Sequence, residues 1–86
     1  MRAIKFESNA FTEYLDWRKM NTQMFDKINE LIKEISRDPF QGKGKPEPLK
    51  GNWKGYWSRR FNDEHRLIYK ADADTVYIAK CRGHYQ

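Results

Sequence analysis

The sequence predicts an α+β fold in which two N-terminal helices pack on an antiparallel sheet. Apolar residues recur at helical spacing in the first half of the 86-residue chain, and three strand-like runs separated by short polar turns follow in the second half. Helices and strands that are segregated along a chain are typical of α+β folds, with the helices covering one face of the sheet. Because no internal repeat or boundary interrupts this pattern, we expect one domain over residues 1–86.

The first half begins with a strand and continues with a short helix. Residues 1–6 alternate as a strand does, and we expect this strand to join the sheet. The short helix that follows carries Phe11, Tyr14 and Leu15 on one face, with Ser8 or Asn9 available as its N-cap.

A second, stronger helix is predicted from Thr22 to Ser36, with Asn21 as its N-cap. Its apolar residues form one stripe of the kind that faces a core: Met24, Ile28, Leu31, Ile32 and Ile35. The helix should end at Asp38, because the residue before a proline is pushed out of the helical region. Since few residues separate the two helices, we expect an antiparallel helical hairpin.

The second half predicts a loop and then an antiparallel meander. Glycines and prolines are spread over residues 42–51, and the strands are predicted over 56–61, 65–70 and 75–81. If the helices cover one face of the sheet, the other face stays open. The loop, the first strand hairpin and the end of the chain can then meet on that open face.

The net charge of +5 is confined to one segment of the chain. Residues 43–60 carry six basic residues against a single acid, and the remainder is neutral. Concentrated positive charge attracts polyanions, of which nucleic acid is the commonest in a cytosol. A solubilising, lysine-rich loop would show the same charge, so both interpretations stand at this point.

Composition also limits which disulfides and metal sites the chain can form and where in the cell we expect it. One cysteine, Cys81, excludes an internal disulfide, and with only two histidines it falls short of the standard structural zinc sets. We therefore predict no metal and no cofactor. The chain has no apolar run near the ~20 residues that a membrane span needs and no basic, apolar leader. We expect a cytoplasmic protein without a membrane partner.

Few residues can carry out RNA cleavage by attack of the 2′-hydroxyl, which needs a base, a cation at the phosphate and an acid. Glu47 is the only acid in the basic segment, and its proline neighbours predict that Lys45 and Glu47 are extended and stiff. It is either a base or a glutamate paired with a neighbouring lysine. His84 is either an acid or an exposed tail residue. Arg60 and Arg66 can each fork onto phosphate oxygens or form surface ion pairs.

Several aromatic residues suit RNA, and others suit the core. Rings near the basic segment and the tail can stack on unpaired bases, as single-stranded RNA requires: Trp53, Tyr56 and Tyr85. We predict core packing for Trp57 and Phe61 and a small buried side chain for Cys81. We interpret His65 as a structural residue or as one that supports the site residues without touching the RNA.

Four separated motifs carry a family resemblance. They are the runs Gly42–Lys50, Trp57–Arg60, Glu64–Leu67 and Cys81–Tyr85. In this order they resemble the YoeB/Txe family of bacterial toxins, and the resemblance spans essentially the whole chain. Family members end at the tyrosine that matches Tyr85, whereas this chain adds Gln86. Around Gly51 and Trp53 it also departs from the family pattern.

The resemblance implies the toxin of a type II toxin–antitoxin system: an mRNA interferase of the RelE superfamily with a microbial-ribonuclease-like fold. Such toxins enter the A site of the 70S ribosome, cleave mRNA there without a metal and so inhibit translation. The products are a 2′,3′-cyclic phosphate or 3′-phosphate and a 5′-hydroxyl. The implied partners are mRNA, the ribosome, a YefM-like antitoxin and, as in many family members, a second copy of the chain.

The matching motifs imply a role for each site residue. Glu47 would be the general base, His84 the general acid and Arg66 the phosphate stabiliser, while Tyr85 would help to position the nucleotide. Together with the charge pattern and a ring that can stack on bases, they give the predicted RNA-binding set: Lys43, Lys45, Lys50, Arg60 and Trp53.

Two other functions compete with this hypothesis. A non-catalytic RNA- or ribosome-binding module would use the same basic segment for affinity alone. A DNA-binding repressor is disfavoured, because the best helix turns its apolar face to the core, is nearly neutral and belongs to no recognisable helix-turn-helix.

Overall fold

A computed structural model describes residues 1–83, in which two helices pack on one face of a five-stranded sheet. The helices are α1 (Ala10–Met20) and α2 (Thr22–Arg37), and the strands are β1 (Ala3–Phe6), β2 (Glu47–Pro48), β3 (Trp57–Arg60), β4 (Arg66–Ala71) and β5 (Thr75–Lys80). The strand order is β1-β5-β4-β3-β2. This confirms the predicted α+β architecture, and β2 is a short strand within the predicted loop.

The sheet is mixed, because β1 pairs with β5 in parallel while the other three pairs are antiparallel. The prediction of an antiparallel sheet therefore differs from the structure at this one edge. The connections explain the difference. Two helices bring the chain back to the end of the sheet where β1 finished, so β2 runs opposite to β1. Three successive antiparallel steps then leave β5 parallel to β1.

A single residue, Asn21, joins the two helices. Its backbone N–H donates to the Trp17 carbonyl at 2.9 Å, and its side chain accepts from the Met24 N–H at 3.2 Å. Asn21 thus ends α1 and caps α2, as predicted.

No helix formed by residues 1–83 is long and apolar enough to cross a membrane.

Helix α1 is rotated from the predicted orientation: Tyr14 packs against the core as predicted, but the other two predicted residues do not. Phe11 and Leu15 are 50% and 38% exposed, whereas Ala10 and Trp17 are buried. Trp17 decides the orientation, because it buries a large area and its indole N–H then needs a partner. That N–H donates to the Cys81 carbonyl at 2.7 Å, which ties the helix to the chain just beyond β5.

The hydrophobic core lies between the helices and one face of the sheet. The α2 stripe is buried as predicted, and Phe61 and Cys81 are also buried as predicted, with Trp57 packed partly against the cluster. The sheet contributes buried side chains from β4 and β5 and from the residues just after β3 and β5: Phe61, Leu67, Tyr69, Val76, Ile78 and Cys81. Because side chains alternate along a strand, the residues between these positions point to the opposite face, here called the open face.

A buried arginine on the helix side of the sheet fixes the loop that leads to β2. The fully buried Arg59 donates to the Glu34 carboxylate and, at 3.1 Å, to the Tyr69 hydroxyl. Arg59 also donates to three loop carbonyls, those of Asp38, Gln41 and Lys43, at 2.7, 2.8 and 3.2 Å. A guanidinium is suited to this arrangement, since it offers five donors in a rigid fork.

The same contacts set the titration of Glu34. Burial by itself raises the pKa of this carboxyl, but hydrogen bonds from the Lys43 N–H and from Arg59, with the positive charges of both side chains, outweigh burial and hold the pKa below its ordinary value of 4.5. A carboxyl whose pKa is lowered by folding stabilises the native state fully above its ordinary pKa. That contribution is lost as the pH falls below about 4.5 towards the folded-state pKa.

Replacing the buried arginine should destabilise the fold strongly. We expect Arg59→Ala to lower the free energy of unfolding by roughly 3–5 kcal/mol, because the Glu34 carboxylate and the loop carbonyls lose their donor. Urea denaturation at pH 7 would measure the change. Glu30→Ala, an exposed position on α2, is the matched control and should change the stability by less than about 0.5 kcal/mol. If Arg59→Ala changed the free energy of unfolding by as little as the control does, Arg59 would not be the residue that holds the loop.

Candidate active site

The open face of the sheet carries a cross-strand row that begins at Glu47. Residues paired across strands share a face, and the register places Glu47 opposite Ser58 and Ser58 opposite Ile68. Ser58 and Ile68 are each 1% exposed, whereas Glu47 is exposed on the edge strand β2. The row therefore runs from two buried side chains to an exposed carboxylate at the edge of the sheet.

Two arginines lie beside this row. Arg60 and Arg66 are directly opposite each other on β3 and β4, and Arg60 shares the face of Ser58 because it follows two residues later. Arg60 is exposed and Arg66 is half-buried. The Nη1 atom of Arg66 is buried and has no hydrogen-bond partner within residues 1–83. A buried donor without a partner is costly, so an anion placed against this nitrogen would be stabilised.

The carboxylate and this guanidinium lie on the same face of the sheet. Glu47 is on β2 and Arg66 on β4, two strands across and two residues along from the position opposite Glu47, so roughly 12 Å separates their backbones. Both are long side chains that rise from the same face. Chemically, the arrangement can hold a phosphodiester with a proton acceptor on one side and a fixed positive charge on the other.

Backbone hydrogen bonds bring the loop, the hairpin and the end of the described chain side by side on this face. The Arg60 N–H donates to the Gly44 carbonyl at 2.7 Å, and the Arg66 N–H donates to the Gly83 carbonyl at 3.0 Å. The predicted meeting is therefore present for the loop, the hairpin and the chain as far as Gly83. The predicted acid His84 and the predicted positioning residue Tyr85 lie outside the described residues.

Lys45 is not extended as predicted, because its φ of +51° lies in the left-handed region. Continuing the register of Glu47 with Ser58 would set Lys45 opposite Arg60, yet Gly44 is the residue that accepts from the Arg60 N–H. The edge segment thus contains one extra residue, as in a β-bulge. Gly44 has φ +83°, and a Cβ there would lie 2.7 Å from the Arg60 carbonyl oxygen, so this close approach requires glycine.

The predicted RNA-binding residues do not all lie together. Lys45, Lys50 and Arg60 are exposed in the segments that border Glu47. Lys43 belongs to the helix side, where its N–H donates to Glu34 at 2.6 Å and it lines a hollow on α2. Since Arg59 is also buried on that side, the basic segment divides its charge between the two sides of the sheet.

Trp53 lies beside Tyr56, in a short 3₁₀ turn at Gly51–Trp53. The two half-buried rings meet edge to face at 5.1 Å, and the Tyr56 hydroxyl donates to Glu7 at 3.1 Å. Both rings line a hollow of about 360 Å³ together with Lys80. Because Lys80 is opposite Ile68, the hollow lies next to the row, and its rings offer aromatic surface on which a base can stack.

The sequence did not predict the hydrogen bond between His65 and Gly83. Its Nδ1 atom accepts a hydrogen bond from the Gly83 N–H at 2.8 Å. The ring stacks on Phe61 at 5.9 Å and meets Trp17 edge-on at 4.9 Å. Nothing local in the sequence signals this contact, because the two bonded residues are eighteen positions apart.

Cys81 has no nucleophilic character. Burial, together with the negative charge of Glu13, raises the pKa of its thiol to about 12, so the thiol is protonated near neutral pH. Residues 1–83 also contain no group of three or more histidine, cysteine, aspartate or glutamate side chains that could hold a metal ion.

The chain is similar to known bacterial toxins over nearly its whole length. The model of the YoeB-like toxins of bacterial type II toxin–antitoxin systems matches residues 6–85. Toxin YoeB of Escherichia coli is 50% identical over 80 residues, which cover 93% of this chain and 95% of that protein. The YoeB dimer from Staphylococcus aureus has a TM-score of 0.90 at 46% identity over 98% of each chain. In the heterotetrameric YoeB–YefM complex from Staphylococcus aureus, the matching chain has a TM-score of 0.89 at 45% identity over 99% of each.

Proposed function

This chain belongs to the YoeB-like toxin family of bacterial type II toxin–antitoxin systems, and from that membership we propose that it is an endoribonuclease that cleaves mRNA in the A site of the 70S ribosome. It would act in the cytoplasm as one toxin domain over residues 1–86 and would inhibit translation. The observation that supports this most directly is the buried Nη1 of Arg66, which lacks a partner within residues 1–83 on the face it shares with Glu47.

The proposed reaction is a general acid–base transesterification. The Glu47 carboxylate takes the proton of the 2′-hydroxyl, and the 2′-oxygen forms a bond to phosphorus. The bond between phosphorus and the 5′-oxygen breaks, and His84 gives its proton to that oxygen. The products are a 2′,3′-cyclic phosphate, which water can open to a 3′-phosphate, and a 5′-hydroxyl. Arg66 stabilises the charge that builds on the phosphoryl oxygens, so the reaction needs no metal ion.

The surrounding residues would hold the RNA. Lys45, Lys50 and Arg60 are exposed around Glu47 and suit backbone phosphates, while Trp53 offers a ring for stacking in the adjoining hollow. Tyr85 would help to position the nucleotide. Lys43 is exposed as well, and we propose that its side chain contacts RNA from the helix side of the sheet, where its backbone N–H is bound.

Two protein partners follow from the relatives. YoeB of Staphylococcus aureus forms a heterotetrameric complex with YefM, and it also forms a dimer. We propose that a YefM-like antitoxin neutralises this chain and that the chain can pair with a second copy. The basic, open face supports the first of these, since an acidic peptide would complement it.

Programmed ribosomes test the proposed activity. The protein is mixed with ribosomes that hold a defined mRNA, and the mRNA ends are mapped by primer extension. We expect a new end within the A-site codon, with a 5′-hydroxyl that must be phosphorylated before it can be ligated. The same RNA without ribosomes is run beside it and should stay largely intact. Salt-sensitive binding to ribosomes without any new 5′-hydroxyl end would instead support the non-catalytic RNA- or ribosome-binding module.

A further inference from the structure

The chain just beyond β5 is anchored to α1. The Cys81 N–H donates to the Glu13 carboxylate at 2.8 Å, and the Cys81 carbonyl accepts from the Trp17 indole N–H at 2.7 Å. Trp17 and Cys81 are buried, so these bonds are made in a setting where losing either partner is costly. The direction in which the chain leaves the sheet is therefore set by the helix.

Two residues later, Gly83 is held on both sides of its backbone. Its N–H donates to Nδ1 of His65 at 2.8 Å, and its carbonyl accepts from the backbone N–H of Arg66 at 3.0 Å. These partners are adjacent in sequence, at the start of β4. The start of β4 therefore carries Arg66 of the candidate site and also holds Gly83.

The His65 ring is itself fixed in place. It packs between Trp17 and Phe61, and its backbone N–H donates to the Asn62 side chain at 2.7 Å. Accepting from Gly83 requires that Nδ1 carries no proton, which puts the proton of the neutral ring on Nε2. Nε2 lies 4.0 Å from the Glu64 carboxylate.

We propose that His65 is a positioning residue for the general acid, acting through Gly83. The inference rests on the proposed function, because it needs His84 as the acid. Gly83 directly precedes His84 in the chain, and consecutive Cα atoms are about 3.8 Å apart, so the position of Gly83 limits the space open to the acid. Gly83 has φ +79° and no Cβ, and a glycine whose hydrogen bond is removed has wide conformational freedom. The His65 acceptor removes that freedom and holds Gly83, the residue before the acid, next to Arg66.

A matched pair of substitutions isolates the acceptor. His65→Phe keeps an aromatic ring between Trp17 and Phe61 but has no acceptor, whereas His65→Asn places an amide oxygen close to where Nδ1 was. We expect His65→Phe to slow single-turnover cleavage on ribosomes by up to roughly 10²-fold, the cost of a misplaced catalytic group. We expect His65→Asn to stay within a few-fold of the wild type. Equal rates for His65→Phe and the wild type would overturn the proposal.

A sulfur-substituted mRNA separates positioning of the acid from a general structural defect. When sulfur replaces the bridging 5′-oxygen at the cleaved linkage, the leaving thiolate needs no proton, so the general acid becomes dispensable. His65→Phe and the reference variant His84→Ala should then both approach the wild-type rate, while Glu47→Ala should stay slow. A His65→Phe defect of unchanged size on the sulfur substrate would show that His65 does not act through the acid.

Hydrogen exchange at the Gly83 amide provides a second measurement that does not depend on cleavage. The amide should be protected in the wild type and in His65→Asn, and it should exchange much faster in His65→Phe. Unchanged protection in His65→Phe would also overturn the proposal. If His65→Phe fails to fold by circular dichroism, His65→Met takes its place as the variant without an acceptor. Absence of cleavage by the wild type would count against the proposed function alone, and the exchange comparison would still decide how the tail is held.

Discussion

Glu47→Ala should slow single-turnover cleavage of ribosome-bound mRNA by on the order of 10²–10⁴-fold, the usual contribution of a general acid–base group. Glu47 stands exposed at the rim of the open face on the edge strand β2, where its backbone pairs with Ser58. Because the side chain is not buried, its removal leaves no cavity in the core, and we expect the stability and the binding to ribosomes to change little.

The control for this variant is an acid with the same exposure but another location. Glu30→Ala removes an exposed carboxylate from α2, on the helix side of the sheet, and should cleave at the wild-type rate. Single-turnover rates at saturating ribosomes, with binding measured separately, distinguish chemistry from affinity. A Glu47→Ala rate within a few-fold of the wild type would remove Glu47 from the mechanism.

Arg66→Lys should lower the same rate by on the order of 10²–10³-fold, as the loss of a preorganised charge-stabilising donor does in other enzymes. Lysine keeps the positive charge but cannot reproduce the planar fork, and it has no atom equivalent to the buried Nη1. The backbone N–H of residue 66, which donates to the Gly83 carbonyl, is retained, so this bond to Gly83 remains. The expected loss is therefore in the transition state rather than in the fold.

Arg18→Lys is the matched control, because Arg18 is exposed near the end of α1 and away from the open face. It should leave cleavage and stability unchanged. On the sulfur-substituted mRNA, Arg66→Lys should remain slow, since a better leaving group does not replace charge stabilisation at the phosphoryl oxygens. If the cleavage rate of Arg66→Lys returned to the wild-type rate on that substrate, Arg66 would act by positioning the general acid and not by stabilising charge.

Features that depend on neighbouring residues were predictable from the sequence. Asn21 as the N-cap of α2, the end of that helix at Asp38 and the buried stripe of α2 all follow from local spacing and local backbone preference. The three strands of the meander follow in the same way from alternation and polar turns. The proposed roles of the site residues came from motif resemblance, because single residues such as Glu47 each allowed a simpler interpretation.

Features that depend on distant partners were not predictable. The exposed side of α1 is set by the bond between Trp17 and the Cys81 carbonyl, sixty-four positions apart. Two of the basic residues are drawn to the helix side because Arg59 and the Lys43 backbone are bound to Glu34. In each case a buried polar group must find a partner, and the sequence does not show which partner the fold brings within reach.

In the candidate site, too, some features depend on neighbouring residues and others on distant partners. Local sequence showed that a carboxylate, two arginines and a basic segment exist, and it predicted that the loop and the strand hairpin that carry them can meet on one face of a sheet. Only the tertiary structure placed Arg60 opposite Arg66, left the Nη1 of Arg66 buried and unpaired within residues 1–83, and joined His65 to Gly83. The physical reason is that alternation and capping act between near neighbours, whereas strand register and burial are decided by the packing of the whole chain.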